Sequence, residues 1–358
     1  MTPVYLTGRA LASVLGLDLA QALQTLRRGT DSPSASAGAA TPYVLGPHDP
    51  LPYLRIPGPT GGWDTRARKL VTGVAEAAGA ALARDGALFI ATSCQDGAAA
   101  QAHCDMDFHA LAQRIAGWLD WRGPVFLVSS ACTSSMQALL CAMEWLRAGT
   151  QSEALVLGLE LDNQLTVPGF AALQLLSAQQ SRPFAPQRDG LVLGEAVAAL
   201  RLSTRTRAPW RVLGGANVVD GLLPTAASAS AVAQMCRRAL AASELDADAL
   251  DLVKVQAAGS PGNDASEAEG LRAAFHRMPA LVSLKPLIGH CMGASGAAEI
   301  ALLLECLAQD WWPRYPDAAD PALGLQLAAQ APARVRYALA AILGFGGSHA
   351  AVVLEHGA

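Results

Sequence analysis

Residues 124–150, PVFLVSSACTSSMQALLCAMEWLRAGT, decide the fold of this chain. The apolar run at 125–128 predicts a buried strand. A helix pattern begins at Thr133 with apolar residues at three- and four-residue spacing, and Gly149 stands where a C-cap glycine belongs. Cys132 therefore lies in the turn between a strand and the first turn of a helix.

The position of Cys132 allows two interpretations. A side chain in such a turn is exposed to the positive end of the helix dipole, so we expect its thiol to lose a proton more easily and to act as a nucleophile. A free cysteine is also commonly a small buried hydrophobic residue. The local pattern alone favours neither interpretation.

Apolar runs without polar alternation recur along the chain, at 86–92 and 154–161, and helical patterns separate them. This order is typical of an α/β protein with a mostly parallel sheet covered on both faces. The polar stretch at 203–210 divides the chain into two halves of similar plan, residues 1–203 and 204–358. Further helices are predicted at 10–28, 68–84, within 94–120, and at 228–242, 264–276 and 294–308, and further strands at 4–7, 191–202, 211–219, 251–257, 280–284, 338–343 and 350–355.

Composition excludes several classes of protein. The 358 residues carry a net charge of −4 without a basic stripe, so a nucleic-acid partner is not expected. Seven scattered cysteines, none in a C-x-x-C pair, predict neither a disulfide framework nor a structural zinc site, and they fit a reducing cytoplasm. The N-terminus lacks a signal-peptide pattern, and glycines interrupt the longest uncharged stretch, so no membrane span is predicted. No metal or organic cofactor is implied.

Three other stretches contain candidate site residues. In 280–299, a strand leads into a glycine-lined loop with Lys285 and His290, where the histidine is either a general base or oxyanion donor, or a structural histidine. In 254–269, a strand end and a turn precede a helix that Asn263 or Asp264 caps. In 343–349, glycines flank Phe345. These glycines either expose backbone N–H groups to a cavity or form a tight turn.

Together these motifs resemble the β-ketoacyl-acyl-carrier-protein synthases. ACTSS around Cys132 is similar to the nucleophile motif of that family, KPLIGHCMGASGAAE (285–299) to its lysine–histidine loop, and GFGGSHAAVVL (344–354) to its C-terminal motif. The matches occur in the family's order over roughly residues 120–355. The resemblance implies a thiolase-like fold of five α-β-α-β-α layers with two similar halves.

The resemblance also implies a reaction, a decarboxylative Claisen condensation. Cys132 would take an acyl group from an acyl carrier protein, and an enolate formed from malonyl-carrier thioester would attack it. The backbone N–H groups of Cys132 and Phe345 would stabilise the oxyanion, with Lys285 and His290 in the site. Family members work as dimers, so a homodimer or a heterodimer with another ketosynthase is expected.

Three departures from the family pattern leave alternatives open. Gln256 replaces the first active-site histidine, and an amide can donate a hydrogen bond but cannot move a proton. Ser348-His349 replaces the usual Thr-Asn, so His349 could occupy the space of the missing histidine. The region before Cys132 is also shortened. The alternatives to condensation are an impaired subunit resembling a chain-length factor, and acyl transfer without decarboxylation.

Overall fold

The computed structural model describes residues 2–29, 40–45, 50–93, 107–221 and 224–357. In chain order, the helices are α1 Leu19–Arg28, α2 Trp63–Ala77, α3 Phe108–Trp118, α4 Ser134–Arg147, α5 Thr166–Ala172, α6 Ala229–Ala242, α7 Pro261–Ala274, α8 Lys285–Ile288 and α9 Ser295–Ala308. The strands are β1 Val4–Ser13, β2 Thr41–Tyr43, β3 Leu51–Leu54, β4 Ala87–Ala91, β5 Val125–Val128, β6 Glu153–Glu160, β7 Leu193–Gly194, β8 Ala196–Ser203, β9 Trp210–Val219, β10 Leu252–Lys254, β11 Ala280–Val282, β12 Tyr337–Leu343 and β13 Ser348–His356.

Ten of these strands form one mixed sheet in the order β11-β10-β12-β13-β9-β1-β8-β6-β4-β5. Strands from the first part of the chain lie on one side and β9 to β13 lie on the other. The two sides meet where β1 pairs with β9, at Val4 opposite Val212 and Tyr5 opposite Arg211. The α/β class expected from the apolar runs is therefore confirmed. The prediction of a mostly parallel sheet is wrong, because five of the nine strand pairings that the structure describes in this sheet are antiparallel.

Helices cover both sides of the sheet and also lie between its two parts. α2 and α3 pack on the outer face of the first part, α6 and α7 pack on the outer face of the second, and α4 and α9 lie in the central core between them. Successive residues of a strand serve different layers: Leu88 and Ile90 face the outer core, whereas Phe89 faces the central one. These five layers place the N-termini of α4 and α9 side by side.

Small residues allow α4 and α9 to approach closely. A Cβ added at Gly296 would come within 2.5 Å of the Met136 side chain, and one at Gly293 within 2.6 Å of the Ser93 amide nitrogen. The backbone N–H of Ala297 also donates to Ser135 Oγ at 3.1 Å. Gly296 is thus required by the packing of α9 on α4, and Gly293 by the close approach of the loop to the chain after β4.

The helix predicted at 10–28 is wrong at its start. The chain remains a strand through Ser13, and α1 begins only at Leu19, where the Asp18 side chain accepts a hydrogen bond from the Gln21 amide at 2.8 Å. The stretch 10–13 pairs with β8, and its successive residues are all buried. It therefore has no alternation of exposed polar residues that would distinguish a strand from a helix in the sequence.

Two further predictions differ from the structure in their bounds. The helix predicted at 68–84 is α2, which begins at Trp63 and ends at Ala77, before a left-handed turn at Gly79 with φ of 80°. The predicted start of the helix within 94–120 lies outside the described residues, and α3 ends at Trp118 as expected. In the described parts of the chain, no helix is long and apolar enough to cross a membrane.

Candidate active site

Hydroxyl groups hold Cys132 in a sharp turn at the start of α4. Ala131 adopts a φ of 52°, a left-handed conformation that is uncommon for a residue with a Cβ. Thr133 Oγ1 donates to the Ser130 carbonyl at 2.8 Å, and Ser134 Oγ donates to the Ala131 carbonyl at 2.6 Å. The serines and threonine of ACTSS therefore hold this turn in place, and the strand-to-helix position predicted for Cys132 is confirmed.

His290 lies directly against the cysteine. His290 Nε2 is 3.0 Å from Cys132 Sγ, and His290 Nδ1 is 3.1 Å from Ser295 Oγ. The three side chains are 2%, 1% and 0% exposed in the order His290, Cys132, Ser295. A histidine nitrogen at this distance can take the thiol proton as the sulfur reacts.

The expectation that Cys132 is unusually acidic is wrong. Burial raises the pKa of its thiol to about 11, against the opposing effects of the Phe345 backbone N–H and the positive charge of Lys285. Burial also lowers the pKa of His290 well below its usual value, with Lys285 and Lys254 adding to the effect. The site therefore holds a neutral thiol beside a neutral imidazole, because neither charged form is solvated there.

Two backbone amides face the sulfur. The N–H groups of Phe345 and of Cys132 itself both act to lower the pKa of the Cys132 thiol. Two consecutive glycines after Phe345, with φ of 78° and 77°, allow the chain to turn at this point. Ser348 Oγ lies 3.0 Å from Thr133 Oγ1 and so attaches this turn to the start of α4. These N–H groups have the arrangement of an oxyanion hole.

Gln256 lines a small pocket together with His290 and Phe345. Its side chain is 7% exposed, and its Oε1 accepts no hydrogen bond from the described residues. Its backbone N–H donates to Glu267 at 2.7 Å. The amide is therefore held beside His290 with hydrogen-bonding capacity left for a ligand.

The helix cap expected at Asn263 or Asp264 is wrong. α7 starts with Pro261 after Ser260, and no side chain caps it. Asp264 instead lies inside the first turn and accepts hydrogen bonds from the backbone of Ala258 and Gly259 at 3.2 Å each. Buried carboxylates thus hold the loop after Gln256, because its N–H groups have no strand partner there.

Lys285 acts on the site through its charge, and its hydrogen bond goes to a buried carboxylate. Its ammonium is paired with Glu299, and Lys254 Nζ donates to the other oxygen of Glu299 at 2.7 Å. All three side chains are at most 1% exposed. Lys254 also donates to the Ala341 carbonyl at 2.6 Å, and burial lowers its pKa to about 8. Two ammonium groups and one carboxylate leave a net positive charge near His290 and Cys132.

His349 is not among the described residues that line the pocket of Gln256. It pairs with Val218 in the sheet, and its Nε2 lies 3.5 Å from Asp220 Oδ2. Burial lowers the pKa of His349. The hypothesis that it takes the place of the missing histidine is therefore not supported by its position.

Several site residues escaped sequence reasoning. Ser295 and Glu299 stand within the quoted lysine–histidine motif. Glu299 lies among small and apolar residues near the start of the helix 295–308, which is a signal that a buried cation must pair with it. Lys254 gave no such signal. Glu160, at the end of β6, was also missed; it accepts hydrogen bonds from Ser93 and Gly293, and burial raises its pKa to about 7.

The five-layer arrangement and the cysteine between two helix N-termini define a thiolase-like protein. Family models agree with this class: the N-terminal domain of β-ketoacyl synthase matches residues 62–208, and the C-terminal domain matches residues 214–318. The chain belongs to the β-ketoacyl synthase family.

Individual relatives are more distant. Erythronolide synthase EryA2 of Saccharopolyspora erythraea is 31% identical over 272 residues, which cover 68% of this chain and 8% of that protein. Nodulation protein E of Rhizobium leguminosarum bv. trifolii is 28% identical over 228 residues, covering 59% of this chain and 56% of the relative. The chain thus spans less than two thirds of the length of these curated relatives.

A solved structure confirms the fold along the whole chain. The ketosynthase ApeO in complex with its chain length factor ApeC, from Xenorhabdus doucetiae, is similar with a TM-score of 0.82 and 22% identity, covering 99% of this chain and 98% of that one. The predicted thiolase-like fold is therefore confirmed.

Proposed function

We propose that this protein is an acyltransferase of the ketosynthase type, which extends an acyl chain by decarboxylative condensation in polyketide synthesis. The observation that carries this proposal is the contact of Cys132 Sγ with His290 Nε2 at 3.0 Å, beneath the N–H groups of Phe345 and Cys132. A nucleophile, a base and two oxyanion donors are the groups that acyl transfer requires.

In the first half-reaction, an acyl group moves from a carrier thioester to Cys132. The sulfur attacks the thioester carbonyl while its proton passes to His290 Nε2. The N–H groups of Phe345 and Cys132 donate to the oxyanion, and the departing carrier thiolate then takes the proton from His290. Because both reactants are neutral before the attack, the proton has to move as the sulfur–carbon bond forms.

In the second half-reaction, a malonyl thioester loses carbon dioxide and its enolate attacks the acyl-cysteine. The new carbon–carbon bond forms as the carbon–sulfur bond breaks, and the Cys132 thiolate that leaves then takes a proton from water. For this step neutral His290 would carry its proton on Nε2, with Nδ1 accepting from the Ser295 hydroxyl, so that Nε2–H and the Gln256 amide are the two donors that would face the enolate oxygen. The net positive charge of the Lys254–Glu299–Lys285 cluster favours negative charge developing nearby. Gln256 supplies a hydrogen bond without a charge, so decarboxylation is expected to be slower than with two histidines.

Mass spectrometry of the intact protein tests the first half-reaction. Incubation with a panel of acyl-carrier thioesters should add one acyl mass, and Cys132→Ala should abolish it. Cys141→Ala is the matched control, because Cys141 is an exposed free cysteine on α4 away from His290. Malonyl-carrier protein should then yield carbon dioxide and the extended product. The proposal fails if no acyl donor modifies Cys132.

A second candidate function is that of a chain-length-factor-like subunit beside an active ketosynthase. The replacement of a histidine by Gln256 favours it, as does the sheet edge at β5, where Val125–Val128 pairs on one side with β4 and its four residues are partly exposed. A partner strand of a second ketosynthase-family subunit would complete that edge. The similar ApeO–ApeC structure is such a pair.

Co-expression separates the two candidates. A partner subunit should co-purify with a ketosynthase that has both active-site histidines, and it should raise the amount or change the kind of that enzyme's products. Cys132→Ala should leave that effect intact. An active homodimer whose activity disappears in Cys132→Ala would contradict the partner function.

We further propose that the halves 1–203 and 204–358 are the structural units of the chain, and that it works in the cytoplasm with an acyl carrier protein.

A further inference from the structure

Ser295 is a buried serine whose hydroxyl lies on the far side of the His290 ring from the cysteine. Its Oγ lies 3.1 Å from His290 Nδ1, and His290 Nε2 on the opposite side of the ring lies 3.0 Å from Cys132 Sγ. Ser295 is fully buried, so water does not compete for this hydrogen bond.

The hydroxyl does not have the usual function of a serine at a helix start. Ser295 is the first residue of α9, where serines often bond a free backbone N–H, but here the cap position is Ala294 and no side chain caps the helix. Within the part of the chain that the structure describes, the hydrogen bond of the Ser295 hydroxyl is the one to His290.

We propose that Ser295 is a positioning residue that sets the proton-accepting state of His290, and the inference rests on the proposed acyl transfer. A hydroxyl can both donate and accept. While the imidazole is neutral with its proton on Nδ1, Nδ1–H donates to Ser295 Oγ and Nε2 is free to accept the thiol proton. Once Nε2 holds that proton, Nδ1–H still donates to the same oxygen, so the imidazolium keeps its partner until the leaving thiolate takes the proton from Nε2.

The charged groups around the ring make this hydrogen bond necessary. Lys285 and Lys254 both disfavour an imidazolium, and their shared carboxylate, Glu299, is already paired with both. Glu160 is the other acidic group that acts on Cys132, but neither of its oxygens bonds His290: Oε2 accepts from Ser93 and Gly293, and Oε1 has no partner among the described residues. The Ser295 oxygen is thus the acceptor that the described residues supply to Nδ1 of the imidazolium.

The rate of alkylation of Cys132 by iodoacetamide tests the proposal without an acyl donor. Peptide mass spectrometry follows Cys132 separately from the other cysteines, between about pH 6 and pH 9. In the unchanged protein, His290 accepts the proton and the rate should vary little with pH. Ser295→Ala should slow alkylation at neutral pH by roughly tenfold and make the rate rise steeply with pH, because only the thiolate then reacts.

Two further variants keep the result interpretable. Ser295→Thr retains the hydroxyl and should restore the flat pH profile. Ser135→Ala removes a neighbouring buried hydroxyl, which accepts from Ala297 N, without touching His290, and should keep that profile too. A Ser295→Ala profile parallel to that of the unchanged protein would overturn the proposal, as would equal profiles for Ser295→Ala and Ser135→Ala. Failure of every carrier thioester to acylate Cys132 would instead refute the proposed function and leave the alkylation result standing.

Discussion

Replacing Glu299 by glutamine should destabilise the protein in a way that depends strongly on pH. Glu299 is the shared partner of Lys254 and Lys285, and all three side chains are buried. Without its charge, two ammonium groups would remain in the core. A buried, unpaired ammonium loses its proton rather than staying charged, and the pKa of Lys254 is already lowered to about 8.

The size of the effect follows from proton linkage. Below about pH 8, Lys254 is protonated in the folded protein, but in Glu299→Gln it would be protonated only after unfolding. The unfolded variant then binds one proton more than the folded one, so its free energy of unfolding rises by about 1.4 kcal/mol per pH unit relative to the unchanged protein. The destabilisation should be about 2 kcal/mol larger at about pH 6 than at about pH 7.5. If Lys285 also loses its proton, the slope doubles.

Urea unfolding at about pH 6, 7.5 and 9 measures this slope. Glu305→Gln is the matched control, since Glu305 lies on the same helix and pairs with Arg9 at 2.6 Å in a partly exposed site. That variant should lose less than about 1 kcal/mol at every pH. A Glu299→Gln penalty that does not change with pH would refute the reasoning, because no buried ammonium would then be titrating.

Three other variants test neighbouring parts of the site. Gln256→His should raise the rate of malonyl decarboxylation by about tenfold or less, because an imidazole in this buried pocket stays neutral like His290 and adds no charge. An unchanged rate of carbon dioxide release would mean that residue 256 does not face the reacting carbonyl. Glu160 has its pKa raised to about 7, so its contribution to stability is greatest below about pH 4.5 and is lost as the pH rises through about 7. Over roughly 2.5 pH units at about 1.4 kcal/mol per unit, this loss is about 3 kcal/mol. Glu160→Gln should remove this pH dependence from the free energy of unfolding in urea, and an equal pH dependence in both proteins would contradict the prediction. Ser348→Ala releases the turn of Phe345 from Thr133 and should slow acylation of Cys132 by about tenfold, measured as acyl mass gained over time; an unchanged rate would show that other contacts position the Phe345 N–H.

Local patterns predicted the parts of the fold and site that depend on sequence neighbours. The strand, turn and helix around Cys132 follow from an apolar run and a three- and four-residue spacing, and the structure confirms them. The lysine–histidine and glycine motifs placed His290 and Phe345 near Cys132 only through a family resemblance, since these residues are far apart along the chain. Periodicity failed at β1, because a strand buried on both faces has no polar alternation.

By itself, the sequence determined the α/β class, the position of Cys132 at a helix start and the replacement that puts an amide at Gln256. Only the tertiary structure decided the charge states and contacts of the site. Burial overrides the helix terminus and raises the pKa of Cys132, and Lys254 joins Lys285 on Glu299 because β10 and α9 meet in the core. The desolvation of these side chains and their ion pairs depend on residues from several layers of the fold, so they cannot be predicted from the spacing of residues along the chain.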